Sequence, residues 1–343
     1  MSDDDQRCPV VVVSGFLGSG KTTLLNRALK DPALADCAVL VNEFGEVGLD
    51  HHLLDYIDGN TVLLANGCVC CSIRDDLKSA VLELHDKRAR GAIPAYRRLL
   101  IETTGLADPT PIIATFLSDL ALRHHYRPSL IVTTVDAVHG LATLAAHAES
   151  RKQVALADRL VLTKTELCTP ATRAALRTQL AQLNGAASLM QASADALAIT
   201  ALLRGDAYRP GHRETEVARW FAATNNDLLA HRHPHGRHAH DIHSFCITVD
   251  EALDWTAFGV WLTLLLHSHG DKVLRVKGLL HVAGVDAPVV INGVQHLVHP
   301  PLHLARWPAD DHRSRIVFIV QGLTQAAIED SLAVFNTLGA AVA

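Results

Sequence analysis

Short uninterrupted runs of Val, Ile and Leu recur between amphipathic stretches over residues 1–205. The runs at 9–14 (PVVVVS), 38–42, 61–65 (TVLLA), 98–102 (RLLIE), 129–135 and 159–163 predict strands. Residues 21–30 and 72–90 predict helices, the second with a charged face. Strands that are apolar on both faces and alternate with helices belong to a mostly parallel sheet covered on both sides, a doubly wound α/β domain. The pattern breaks over 206–243, where Pro210, Pro234, several Arg and the run HRHPHGRHAHDIH leave no sustained period and predict an exposed linker. Beyond it, strands at 244–250, 273–282, 288–298 and 314–320, a helix at 254–267 and a last helix capped by Thr324 predict a smaller α+β domain over 244–343.

Composition adds two anomalies to this picture. The 343 residues are 49% hydrophobic and 20% charged, as in soluble globular chains, and the net charge of −5 without a basic run disfavours nucleic acid as a partner. The acidic start, MSDDDQRCP, does not have the layout of a secretory signal, and no apolar run reaches spanning length, so the cytoplasm and no membrane are expected. Three of the seven cysteines, however, crowd into Cys68, Cys70 and Cys71, and many of the 21 histidines fall in one stretch. A tight cysteine cluster in a large chain expected in the cytosol points to metal or redox chemistry rather than a disulfide framework.

The first motif is GFLGSGKTT, Gly15 to Thr23, a full G-x-x-x-x-G-K-[ST] match placed after a predicted strand and opening a predicted helix. Gly15, Gly18 and Gly20 let the backbone curl so that the amides of the loop, through Ser19 and Gly20 and on to Thr22 and Thr23, face phosphate oxygens at a helix N-terminus. Lys21 is assigned to the β- and γ-phosphates and the Thr22 hydroxyl to Mg2+. Glu102 ends a buried strand in LLIETTGLADP and suits Mg2+ or its water shell, and Gly105 allows close approach to the γ-phosphate; a strand-end acid capping a nearby helix is the plainer alternative for Glu102. Thr163, Lys164 and Glu166 (TKTE) follow a later strand. A carboxylate there accepts the N1 and N2 protons of guanine, a donor pair that adenine lacks, so GTP is the expected nucleotide. Thr and Glu stand where Asn-Lys-x-Asp is usual, and an exposed Lys and Glu at a strand exit is the alternative.

GCVCC, Gly67 to Cys71, places three thiolates within four residues ahead of a helix, a soft donor set for Zn2+ or Cu(I). Glu43 in NEFGEVGLD is the favoured fourth ligand, with His51 and His52 as options; a redox pair or buried apolar cysteines are the alternatives. His231, His233, His235, His238 and His240, with His243, form a weaker, exchangeable second metal site or an incidental solvated linker.

GFLGSGKTT, NEFGEVGLD, GCVCC, ETTGLADP and TKTE, in this order, resemble the motifs of the CobW-like GTPases, a family of metallochaperones related to the GTPases that insert nickel into hydrogenase and urease. RVKG, Arg275 to Gly278, resembles the family's C-terminal domain, so the likeness spans nearly the whole chain. It implies a P-loop GTPase domain over 1–205, an internal CxCC metal site, a 206–243 linker and a CobW-like domain over 244–343. It also implies that NEFGEVGLD senses the γ-phosphate and that a metal-requiring client protein is the partner. It admits zinc, cobalt (Co2+) and, in some members, iron as cargo, and among these the cysteine-rich ligation favours zinc, with cobalt as the alternative. Two rivals stay open: a P-loop kinase or ATP-dependent ligase, for which GCVCC and TKTE are incidental, and a metal buffer or sensor that does not hydrolyse nucleotide.

Overall fold

The computed structural model describes residues 6–41, 73–192, 203, 217 and 242–342. The chain divides into two compact units, Met1–Thr178 with Leu189–His212, and Gln179–Ser188 with Arg213–Ala343.

In the first unit, β1 (Cys8–Gly15), β2 (Cys37–Val41), β3 (Arg98–Glu102), β4 (Tyr126–Asp136), β5 (Arg159–Thr163) and β6 (Ser188–Gln191) form one sheet in the order β2-β3-β1-β4-β5-β6. The pairings of β1 with β3 and β4, of β2 with β3, and of β4 with β5 are all parallel. Every residue of β1 is buried. Because successive side chains point to opposite faces, Val11 and Val13 pack with Leu24, Leu25 and Ala28 of helix α1 (Lys21–Leu29). The remaining helices are α2 (Ile73–Ala89), α3 (Thr110–Ser118), α4 (Leu120–His125), α5 (Gly140–Ala146), α6 (Ala148–Leu156) and α7 (Pro170–Leu183), the last of which runs past the unit boundary at Thr178. Both α3 and α6 pack on β4, and α6 also packs on β1. The chain leaves β1 toward one side of the sheet, to β2, and leaves β3 toward the other, to β4. Such a reversal opens a crevice beyond the C-terminal ends of the strands, where open α/β sheets bind ligands.

Two details depart from the sequence pattern for local reasons. The strand expected at 129–135 begins at Tyr126 and contains Pro128. Its register against β1 shifts between Val10, opposite Pro128, and Val11, opposite Leu130, and this irregularity accommodates a residue without an N–H. The strand β6 has a half-buried pattern and no continuous apolar run, so periodicity does not reveal it. The strand expected at 61–65 lies outside the described residues.

In the second unit, β7 (Ile242–Val249), β8 (Val273–Leu280), β9 (Val289–Val294), β10 (Leu297–Val298) and β12 (Ser314–Gln321) are ordered β10-β9-β8-β12-β7, with β11 (Leu302–His303) also on β9. All of these pairings are antiparallel. The apolar run at 288–298 is thus a hairpin, turned where Gln295 takes a left-handed φ of 51°. Helices α8 (Trp255–His269) and α9 (Gln325–Val342) bring Phe258, Trp261, Ile328 and Leu332 onto Phe245, Ile316 and Phe318 of the sheet. The Asp254 carboxylate accepts the Ala257 N–H at 2.6 Å and caps α8. The Trp261 indole donates to Ser331 Oγ at 3.0 Å and ties α8 to α9. In the RVKG stretch, a Cβ on Gly278 would lie 2.6 Å from Ile291 Cγ1, so only glycine fits between these strands. Among the described residues, no helix is long and apolar enough to cross a membrane.

Phe318 is fully buried and meets Trp261 edge-on, with ring centroids 6.2 Å apart. Phe318→Ala should destabilise the second unit by about 3–5 kcal/mol, read as a lower urea midpoint followed by tryptophan fluorescence.

Candidate functional site

The phosphate-type loop rises from β1 under tight steric control. Gly15 has φ 141°, and a Cβ there would stand 2.5 Å from the Thr134 carbonyl and 2.7 Å from Ser19 Oγ. Gly18 (φ 68°) and Gly20 (φ 89°) also take left-handed backbone that glycine alone adopts cheaply, and Gly20 delivers the chain into α1. The Ser19 N–H donates to the Phe16 carbonyl at 3.1 Å and closes the loop. The Ser19 hydroxyl, buried, lies 2.7 Å from Thr134 Oγ1, so it serves the loop's attachment to β4. The Lys21 ammonium is largely buried and donates to the Gly15 and Phe16 carbonyls at 3.0 and 3.2 Å, poised over the curl. Thr23, one residue past Thr22, is exposed.

The end of β3 meets this loop. The Thr22 hydroxyl donates to Glu102 Oε1 at 2.6 Å, although 80 residues separate them in sequence, and Glu102 is only 4% exposed. Gly105 lies against the loop so closely that a Cβ would fall 2.6 Å from the Leu17 nitrogen. The stretch between β3 and α3 is fastened throughout. The Thr103 N–H donates to the Val13 carbonyl at 3.0 Å, the Ala107 N–H to the Thr104 carbonyl at 3.2 Å, and the Thr110 N–H to Asp108 Oδ1 at 2.8 Å. From α6, Gln153 Nε2 donates to the Gly105 and Ala107 carbonyls, both at 3.0 Å, and Lys152 pairs with Asp108 at 2.8 Å.

The end of β5 closes the third side. The buried Thr163 hydroxyl donates to the Ser19 carbonyl at 2.7 Å and reaches the Val135 carbonyl at 3.3 Å. Lys164 takes a left-handed φ of 54° and donates to the Gly18 carbonyl at 2.8 Å and to Asp136 Oδ2 at 2.7 Å. Glu166 sits exposed in the following short turn, Thr165–Leu167. Burial pushes the Asp136 carboxyl up, but the Lys164 ammonium and the Val138 and His139 amides outweigh it and hold the group below the ordinary carboxylate range. Beside this side of the loop lies a cavity of 260 Å³ lined by Phe16 to Ser19, Thr134, Asp136, His139, Gln153 and Lys164, among others.

The structure therefore brings together Gly15, Gly18, Ser19, Gly20, Lys21, Thr22, Glu102, Gly105, Thr163 and Lys164 around the first turn of α1. Sequence reading missed Thr134, Asp136 and Gln153. Asp136 carried the same signal as Glu102, an acid ending a buried strand, while Gln153 lies within a helix and has no local signature. Glu43, His51, His52, Cys68, Cys70, Cys71 and the histidines from His231 to His240 lie outside the described residues. Among the described residues, no group of three or more His, Cys, Asp or Glu is placed to hold a metal ion.

A parallel sheet of this order, with a glycine loop wrapped on a lysine beside a Thr–Glu pair, defines a P-loop nucleotide-binding protein. The profile described as "CobW/HypB/UreG, nucleotide-binding domain" matches residues 9–191, and that of the "Cobalamin synthesis protein cobW C-terminal domain" matches 242–336. The chain belongs to the CobW/HypB/UreG family. It is 32% identical to the zinc chaperone YjiA of Escherichia coli over 94% of this chain and 97% of that one. It is 31% identical to the zinc chaperone CobW of Pseudomonas aeruginosa, over 95% and 91% of the two chains. The crystal structure of the Zn(II)-bound YjiA GTPase superposes with a TM-score of 0.68 at 28% identity, covering 96% of this chain and 99% of the other.

The Asp136 ion pair has a defined pH signature. A carboxylate held below its unfolded value of about 3.9 contributes stability that is present above that value and is lost as pH falls through the folded value. Asp136→Asn should lower the Tm at pH 7, with the gap to the parent chain closing as the pH is brought down through the carboxylate range.

Proposed function

We propose that this protein is a GTP-hydrolysing metallochaperone that carries zinc and releases it to a client protein in a nucleotide-dependent way. The observation that carries the nucleotide half is the 2.6 Å hydrogen bond between Thr22 and Glu102, beside the buried Lys21 at the start of α1. A hydroxyl and a carboxylate are hard oxygen donors, the kind of set that would suit Mg2+ bound with a nucleotide. Thr22 would hold the cation directly, and Glu102 would accept the Thr22 O–H or a hydrogen bond from a water on the cation. Bound there, the cation would neutralise charge on the phosphates. Lys21 would pass from the Gly15 and Phe16 carbonyls to the β- and γ-phosphate oxygens, and the amides from Ser19 to Thr23 would face the rest. The Lys164 stem, anchored at Gly18 and Asp136, would lie along the base, and Glu166 would accept the guanine N1 and N2 protons.

The cargo half is supported by the zinc-chaperone relatives and by GCVCC. Cys68, Cys70 and Cys71 would bind Zn2+ as thiolates with Glu43 as a fourth donor, and Co2+ is the alternative cargo. A YjiA variant with one glutamate and two cysteines replaced by alanine is also Zn(II)-bound, so loss of stoichiometry, rather than of all binding, is the informative readout. Coupling would run through NEFGEVGLD, which the γ-phosphate would order and whose Glu43 would then join the cysteines on the metal.

The test is zinc stoichiometry by equilibrium dialysis together with steady-state hydrolysis of GTP and ATP with Mg2+, with and without one equivalent of Zn2+ or Co2+. It includes the parent chain, Lys21→Ala, and a variant carrying Cys68→Ser, Cys70→Ser and Cys71→Ser. Expected are turnover selective for GTP, a metal effect present in the parent and absent in the cysteine variant, and a nucleotide affinity about tenfold or more weaker in Lys21→Ala. Equal use of ATP without a metal effect would favour the kinase or ligase reading. Zinc binding without turnover would favour the buffer.

A further inference from the structure

We propose that Gln153, on α6, is a positioning residue for the hydrolytic step: it fixes the loop that faces the terminal phosphate before nucleotide binds. The inference rests on the GTPase reading above.

Gln153 is 1% exposed, and its amide nitrogen donates to the Gly105 and Ala107 carbonyls at 3.0 Å each. The opposite amide orientation would set an oxygen against two carbonyl oxygens, so the donor assignment follows from chemistry. The residue is itself anchored, because its own carbonyl accepts the Thr133 hydroxyl of β4 at 3.1 Å. A trans peptide carries its C=O and N–H on opposite sides. Drawing the Gly105 and Ala107 carbonyls toward α6 therefore turns the Leu106 and Asp108 N–H groups the other way. The Ala107-to-Thr104 bond at 3.2 Å orients the Thr104 carbonyl into the turn and so directs the Gly105 N–H outward. Gly105 is the residue that abuts Leu17 of the phosphate loop. The neighbouring Lys152–Asp108 pair, at 2.8 Å, clamps the far end of the same stretch from the same helix. Donors whose directions are set in advance cost no reorganisation when charge develops on the phosphate.

A group that acts only by aligning the loop should affect turnover and leave ground-state affinity alone. The experiment is GTP hydrolysis by full-length Gln153→Met, which keeps the volume and removes both donors, with GDP affinity measured by fluorescent nucleotide. Expected is a fall in kcat of about 10- to 100-fold, with KM and GDP affinity within about twofold of the parent. Lys152→Met, at the surface end of the clamp, should lower kcat in the same sense by a smaller factor. An unchanged kcat in Gln153→Met, or a kcat that falls only in step with GDP affinity, overturns the inference and leaves the GTPase reading intact. If Gln153→Met does not fold, an unchanged kcat in Lys152→Met overturns it. A parent chain that does not turn over GTP overturns the reading and this inference together.

Discussion

The nucleotide edge of the first unit depends on one close approach, that of the Gly15 backbone to Thr134. No side chain fits at residue 15, because the Thr134 carbonyl and Ser19 Oγ occupy the space a Cβ would take. The Thr134 hydroxyl converts this proximity into attachment: it donates toward the Ser14 carbonyl at 3.3 Å and meets the Ser19 hydroxyl at 2.7 Å. The end of β1, the end of β4 and the start of α1 are thereby joined in one buried polar knot. The left-handed turns at Gly18 and Gly20 follow from the need to leave that knot and enter a helix within a few residues. The position of Lys21 over the loop carbonyls follows from the same curl. The β3 and β5 loops then attach to a fixed object, Gly105 by backbone contact with Leu17 and Lys164 by its bond to the Gly18 carbonyl.

Much of this was legible in the sequence because its signals are local. Residues 10–13 are four consecutive valines, so a strand buried on both faces follows directly, and the motif from Gly15 to Thr23 carries its own turn chemistry. Glu102 was found because an acid at the end of a buried run is conspicuous. The unreadable parts depend on partners distant in sequence. Asp136 matters through Lys164, 28 residues on, and Gln153 through carbonyls 46 and 48 residues before it. A glutamine within a helical stretch says nothing about which backbone it will meet. An apolar run can also hide a turn. The run at 288–298 reads as one strand, but the chain reverses at Gln295 and splits it into β9 and β10.

The second unit shows how a short sequence likeness acquires a physical basis. RVKG lies in β8, where Arg275 is buried and Gly278 makes room for the Ile291 side chain on β9. The glycine is a packing requirement of that strand pair. Its occurrence in the second unit therefore reports on how this sheet closes, and it carries no information about the chemistry of the first.

The hydroxyl of Thr163 sits on the Ser19 carbonyl, and its methyl carbon would lie 3.4 Å from any Cβ added at Gly20. Residues 19 and 163 are 144 positions apart along the chain, yet the loop that begins α1 and the loop that ends β5 share an atom-sized joint. A larger or differently hydrogen-bonding residue at 163 shifts the phosphate loop, and a change in that loop alters which residue 163 can be. Substitutions at the two places are therefore not independent. A loop after β5 taken from a relative should therefore fit this protein best when the matching phosphate loop is transferred with it.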